Sequence, residues 1–169
     1  LRKEDKRFIT GKGRYTDDII KQNQSYAAFV RSPHAHALIK SIDISAAVAL
    51  GGVETVLTGP ELVADGIGNI ICGWGVTQKD GSGMNMGAWS ALATEKVRYV
   101  GDAIAIVVAD TKSLARLAAE AVVVEYEELP VVVGSVEALA AGAPQIHENA
   151  PGNIVFDWEI GDLAPTDAA

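Results

Sequence analysis

Apolar and polar positions along the chain follow two different periods, and the switches between them divide it into elements. Residues 26–31 and 39–44 have the short apolar and β-branched runs of strands, joined by Ser32-Pro33-His34-Ala35-His36. Residues 45–50 predict a short helix, with Ser45 able to cap its start and Gly51 able to supply the left-handed residue after its end. Alternation over 53–58 predicts a strand, and 60–64 one helical turn with Pro60 tolerated at its start. Residues 96–100 and 103–109 predict two more strands with Gly101-Asp102 as the turn between them. The second is apolar on both faces and is therefore expected to be buried. Thr111 can cap a helix running to about residue 121. Its periodic face holds Leu114, Leu117, Ala118, Ala121 and Val122, with the alanines allowing close docking on a sheet. Val122, Val124 and Tyr126 then alternate with Val123, Glu125 and Glu127, the pattern of a half-buried strand, which Leu129-Pro130 ends. Residues 135–141 predict a short helix with Gly142 after it.

Two stretches lack a sustained period. Residues 1–25 are charged and contain glycine, and they read as an extended arm; 143–161 read as a tail packed outside the core. The early strands follow one another directly, so the mixture points to an α+β fold and not to a doubly wound sheet. Residues 66–92 break the pattern most sharply. Seven glycines, both methionines, the single cysteine and two of the three tryptophans fall there. Long loops of this kind are usually functional or disordered.

Composition narrows the function classes. With 169 residues and 49% apolar content the chain suits one folded domain. A net charge of −8 argues against nucleic acid, whose phosphates need clustered Lys and Arg, and against anionic membranes. No apolar run approaches the roughly 18 residues of a membrane span. One cysteine, Cys72, excludes an internal disulfide and fits a reducing cytoplasm. The chain begins without Met and stops within Pro165-Thr166-Asp167-Ala168-Ala169, so it reads as a fragment of a longer protein.

Candidate chemistry is sparse. His34 and His36 are two of the four ligands a metal site wants, and His147 is far away in sequence, so both read as structural or solvent-exposed. Cys72 has no local base or cation to activate it and reads as a small apolar residue. Gly11-Lys12-Gly13-Arg14 lacks the spacing and preceding strand of a phosphate loop, and Gly81-Ser82-Gly83-Met84-Asn85-Met86-Gly87 misses G-x-G-x-x-G by one residue; both read as flexible loops. Glu125 and Glu127 project to the solvent face of their strand, and Asp17-Asp18 suit a turn.

An ordered set of phrases carries a family resemblance that no single phrase would. Arg7-Phe8-Ile9-Thr10-Gly11-Lys12-Gly13-Arg14-Tyr15 with Asp17-Asp18-Ile19 comes first, then Phe29-Val30-Arg31-Ser32-Pro33-His34-Ala35-His36-Ala37. Val56-Leu57-Thr58-Gly59, Lys96-Val97-Arg98-Tyr99-Val100-Gly101-Asp102 and Val124-Glu125-Tyr126-Glu127-Glu128-Leu129-Pro130 follow in order, and His147-Glu148 with Gly152-Asn153-Ile154 close the series. Together they resemble the N-terminal α/β hammerhead domain of the large, molybdenum-binding subunit of the xanthine dehydrogenase, aldehyde oxidase and carbon monoxide dehydrogenase family. Asp102 stands where many relatives have Glu.

The resemblance implies an α+β, hammerhead-type mixed β-sheet structure with two or three short helices. It implies an arm at 1–25, the hammerhead domain at 26–142, and a tail at 143–169 leading to a separate cofactor-binding region. The fragment is then structural: no catalytic, cofactor-binding or metal-binding residue is carried over to it. The full subunit would hold a molybdenum-pterin cofactor, with iron–sulfur clusters and FAD in partner subunits, and would oxidise an aldehyde, an N-heterocycle or carbon monoxide using oxygen from water. Cys72, Trp74, Met84, Met86 and Trp89, in the stretch that matches no fixed family phrase, are the expected substrate-channel or interface loop. The competing reading is a non-catalytic assembly module or a small-molecule-binding domain using 66–92.

Overall fold

Six strands carry the apolar runs: β1 (Tyr26–Arg31), β2 (Ala37–Asp43), β3 (Val53–Thr58), β4 (Lys96–Val97), β5 (Ala103–Ala109) and β6 (Val123–Glu128). In the computed structural model, which describes residues 2–87, 89–161 and 166–167, they form two three-stranded sheets. The first has the order β1-β5-β3 and the second β4-β2-β6, and every pairing is antiparallel. The seven-residue apolar run of β5 takes the central place that its two-faced hydrophobicity demands. Ile104, Ala105, Val107 and Ala109 are all fully buried.

Five short α-helices appear among the described residues, more than the two or three expected: α1 (Asp5–Ile9), α2 (Ser45–Val48), α3 (Gly59–Ala64), α4 (Lys112–Ala121) and α5 (Ser135–Ala138). The surplus comes from single turns whose stop signals are local. In α1 the left-handed Gly11 lets its own N–H bond Phe8 O while the Lys12 N–H bonds Arg7 O. That double closure is the Schellman ending. Residues 1–25 are therefore not simply an extended arm, because the helical turn and a 3₁₀ turn at Thr16–Asp18 interrupt them. The Gly11-Lys12-Gly13 phrase is that helix stop.

Two apolar clusters hold the sheets together. Ala47, Val56, Val107, Ala118 and Val122 form one; Ala37, Ala93, Val97 and Ile104 form the other. Ile42 and Val124 pack against both, so the second sheet is joined to the first through its β2 and β6 side chains.

Helix α4 lies against β1 and β5. It starts as its sequence predicts, with the Thr111 side chain accepting the Leu114 N–H at 3.1 Å. Its buried face differs from the expected one. Ala115 and Ala118 are fully buried and Val122 nearly so, whereas Leu117 is 54% exposed. The stripe 115, 118, 122 points at the sheet, and at 100° per residue Leu117 is turned well away from it. The helix docks by its small residues, and the large one flanks the contact.

Smaller departures have similar local causes. Strand β2 occupies residues 37–43 and not 39–44, and α2 ends at Val48. Ser45 does not cap α2; its backbone N–H is taken by the Asp43 carboxylate at 2.9 Å. The left-handed residue after α2 is Gly52, at φ +93°, and not Gly51. The strand expected over 96–100 stops at Val97, because the Asp102 carboxylate accepts the Arg98 N–H and the chain turns through Gly101 at φ +92°. Helix α5 ends at Ala138, short of 141. No described helix is long and apolar enough to cross a membrane.

Candidate docking surface at residues 66–92

The segment leaves α3 through a second Schellman ending: Gly66 is left-handed, its N–H bonds Val63 O, and the Ile67 N–H bonds Leu62 O. The chain then runs along the surface with its apolar side chains uncovered. Ile70 is 62% exposed, Ile71 88% and Trp74 76%, and Ile67 is half-exposed. Cys72 is exposed too, so it does not serve as a small apolar core residue; its thiol donates to Trp74 O at 3.1 Å. Isolated apolar side chains on a surface are ordinary, but a run of them within eight residues makes this stretch a candidate interaction surface. The isoleucines extend the tryptophan–methionine set that the sequence singled out, and only their exposure sets them apart.

The middle of the segment has structure of its own. Thr77 and Gly83 pair as an antiparallel bridge, the Gly81 N–H bonds Gln78 O, and the Gln78 N–H bonds Ser82 O. With Gly81 at φ +83°, this is a tight turn followed by a left-handed residue, the usual three-residue hairpin connection. Asp80 stabilises it by accepting both the backbone N–H and the hydroxyl of Ser82. The Asp80-Gly81 pair is a hairpin signal that the sequence carries, and the hairpin replaces the flexible loop expected for the Gly81–Gly87 phrase that misses G-x-G-x-x-G. Met84 is half-buried and Met86 is 40% exposed.

Trp89 closes the segment on the opposite flank. Its ring lies 6.3 Å from that of Tyr99 and 6.0 Å from that of His147, centroid to centroid. Beside these rings is a cavity of about 30 Å³ that Lys96, Arg98 and Asp102 also line. It has room for a water but falls far short of the ~300 Å³ of a typical organic-ligand pocket. Burial pushes the His147 imidazole below its ordinary pKa, helped by the Arg98 charge. Burial and the Asp102 carboxylate hold the Tyr99 phenol above its own. Glu148 meets Lys96 at 2.5 Å and Arg98 at 3.0 Å, which holds its carboxyl down at about 2.

The remaining candidates are structural. The His36 Nδ1 donates to Pro130 O at 2.7 Å, and His34 packs on the Tyr126 ring and lies 3.5 Å from Glu128. Glu127 pairs with Lys40 on the exposed edge, and Glu125 accepts the Ser41 hydroxyl. Asp17 and Asp18 sit in the 3₁₀ turn. Among the described residues no three His, Cys, Asp or Glu side chains converge as a metal-holding set. A single thiol cannot supply the four thiolates of an ordinary iron–sulfur cluster either. What the described residues of 66–92 do build is a surface.

Fold and surface thus define the class: a small α+β domain that buries one core cluster between its first sheet and α2 and α4 and another between the two sheets, and leaves a glycine-rich, apolar segment uncovered. The chain belongs to the family described as the aldehyde oxidase and xanthine dehydrogenase a/b hammerhead domain, whose model matches residues 10–130. The carbon monoxide dehydrogenase large chain of Hydrogenophaga pseudoflava is 39% identical over 98% of this chain and 21% of its own length. The nicotine 6-hydroxylase large subunit of Paenarthrobacter nicotinovorans is 36% identical over 90% of this chain and 18% of its own. Among solved structures, the reconstituted CO dehydrogenase of Oligotropha carboxidovorans superposes with a TM-score of 0.76 at 37% identity, covering 99% of this chain and 21% of that one. The chain spans about one fifth of the length of the relatives it matches.

Proposed function

We propose that this chain is the hammerhead domain of the large subunit of a molybdenum-cofactor hydroxylase or dehydrogenase, and that it serves that enzyme as a structural part. The observation that carries the reading is the match of the hammerhead family across 10–130, in a chain that is one fifth the length of large subunits named for such enzymes. The unit at 26–142 is the domain, preceded by the 1–25 segment, and the tail at 143–169 leads toward the region that would bind the molybdenum-pterin cofactor. Iron–sulfur and flavin subunits complete the assembly, which is cytoplasmic. The two relatives act, by their names, on carbon monoxide and on nicotine at nearly the same identity. The substrate class is thus one of carbon monoxide, an aldehyde or an N-heterocycle, and it is set largely outside this chain.

The exposed segment with Cys72, Trp74, Met84, Met86 and Trp89 is the face that meets the cofactor-binding region, near the substrate path. Large apolar side chains in a glycine-rich loop gain their burial from a partner surface and not from the local core. The native enzyme, assayed for dye reduction with carbon monoxide, a panel of aldehydes and a panel of N-heterocycles, should respond to one of the three classes. No response to any, from protein shown to contain molybdenum, would refute the hydroxylase reading. Hydrogen exchange on this chain and on the full subunit tests the surface. Amides of Ile71, Cys72, Gly73 and Trp74 should gain protection in the full subunit; equal protection in both would show that the segment meets nothing.

A further inference from the structure

The hairpin at 77–87 touches the rest of the molecule in a selective way. Every hydrogen bond or ion pair tying it to another part of the chain, among the described residues, runs to 149–159. The Asn85 N–H bonds Val155 O at 2.7 Å and its side-chain amide donates to Ile154 O at 3.1 Å. The Lys79 N–H bonds Asp157 O at 2.9 Å, and its ammonium pairs with Asp157 and Glu159. Asn149 donates to Met86 O, and the Asp157 N–H meets the Gln78 side-chain oxygen. With Gly81, Gly83 and Gly87 in the hairpin, fixing it costs more conformational entropy than its few internal bonds return. Its conformation is borrowed from the tail.

Among the described residues the tail in turn is fastened to the second sheet at one place. Each Glu148 carboxylate oxygen takes one cation, Lys96 of β4 and Arg98 just beyond it, and the Arg98 Nε also donates to Ile146 O at 3.2 Å. Both cations are mostly buried along their stems while Glu148 is exposed. Neighbouring contacts keep the same stretch in line. His147 stacks on Trp89, and Gly87 approaches so closely that a Cβ there would lie 2.5 Å from the His147 Nδ1. Asn153, itself left-handed at φ +60°, accepts the Ile146 N–H and donates to Ala138 O and Pro144 O.

We infer that Glu148 is a positioning residue: through Lys96 and Arg98 it fastens the 146–157 strap to β4, and the strap sets the conformation of the 77–87 hairpin. The candidate docking surface thus has two parts. Residues 67–74 wait for a partner, whereas 77–87 are pre-ordered by the chain's own tail. This inference stands on contacts within the chain and does not depend on the molybdenum reading.

Glu148→Gln in the full chain is the test, because it keeps shape and removes charge. Amide hydrogen exchange should rise by about two- to fivefold at Lys79 and Asn85, the scale of losing an exposed ion pair, with Val107 in β5 unchanged. In the unsubstituted chain, raising salt to about 1 M should produce a change of the same direction at the same two amides, because screening weakens the anchor. That salt response should shrink at Asn85 in Glu148→Gln, while the exposed Lys79 pairs with Asp157 and Glu159 keep a response of their own, and Glu148→Asp should restore part of the protection. Unchanged exchange at Lys79 and Asn85 would overturn the inference. So would a rise shared equally by Val107, since Glu148 would then support the whole fold and position nothing. A salt response at Asn85 undiminished in Glu148→Gln would place the electrostatic anchor elsewhere and also overturn it.

Discussion

Leu117 and Ala118 are neighbours on one helix, and the same aspartate placed at each should give very different proteins. Ala118 is fully buried against Ala47, Val56, Val107 and Val122. An aspartate there brings a carboxylate into a site whose surroundings are aliphatic, with no donor to satisfy it. Burial of an unpaired ionised group costs several kcal/mol even after the group shifts its pKa and takes up a proton. That compares with a total stability of about 5–15 kcal/mol for a domain. Leu117 is 54% exposed, so its replacement forfeits only part of a leucine's burial, roughly 1 kcal/mol. The helix-propensity penalty is about 0.5 kcal/mol at either position and cancels in the comparison. Thermal melts followed by circular dichroism should show Leu117→Asp unfolding cooperatively about 2–6 °C below the parent chain, on a scale of ~2–4 °C per kcal/mol for this size. Ala118→Asp should lose most of its cooperative transition. Equal melts for the two, or a larger loss at Leu117, would refute the rotation of α4 described above.

Thr111→Ala should destabilise the chain by about 1 kcal/mol in urea titration, because the Leu114 N–H loses its cap. Gly52→Ala should cost more than about 1 kcal/mol, since it must hold φ +93° and place its methyl 2.8 Å from a Leu114 methyl. Glu148 ties stability to acidity with a definite sign. Its folded pKa of about 2 lies below the ordinary 4.5, so its contribution is present above pH 4.5 and is lost as pH falls toward 2. The part of the acid-induced loss that belongs to Glu148 should be missing in Glu148→Gln, and should shrink at high salt because the carboxylate is exposed.

Legibility in the sequence followed the length of the signal. Strand β5 and the start of α4 were readable because seven apolar residues and a capping threonine leave few alternatives. The rotation of α4 was not, because Leu117 and Ala118 satisfy a helical period equally well and only the closeness of docking favours the small residue. Single helical turns such as α1 escaped because their evidence is a glycine stop and not a periodic face. At the candidate surface the tryptophans and methionines were visible by type, whereas Ile67, Ile70 and Ile71 were missed, because isoleucines are as ordinary in a core as on a surface and only their exposure sets them apart. The strap was not visible: the pairing of Glu148 with Lys96 and Arg98 spans some fifty residues, and nothing in a local window announces it.

The most direct test of the family assignment as function is the mass and metal content of the native polypeptide that carries this sequence. Purified from its source through an antibody raised against this chain, it should be about five times as long as the 169 residues, as its relatives are. It should also contain molybdenum in near-stoichiometric amount. A native polypeptide of about 17.7 kDa without molybdenum would contradict the assignment and return the chain to a free-standing assembly or binding module.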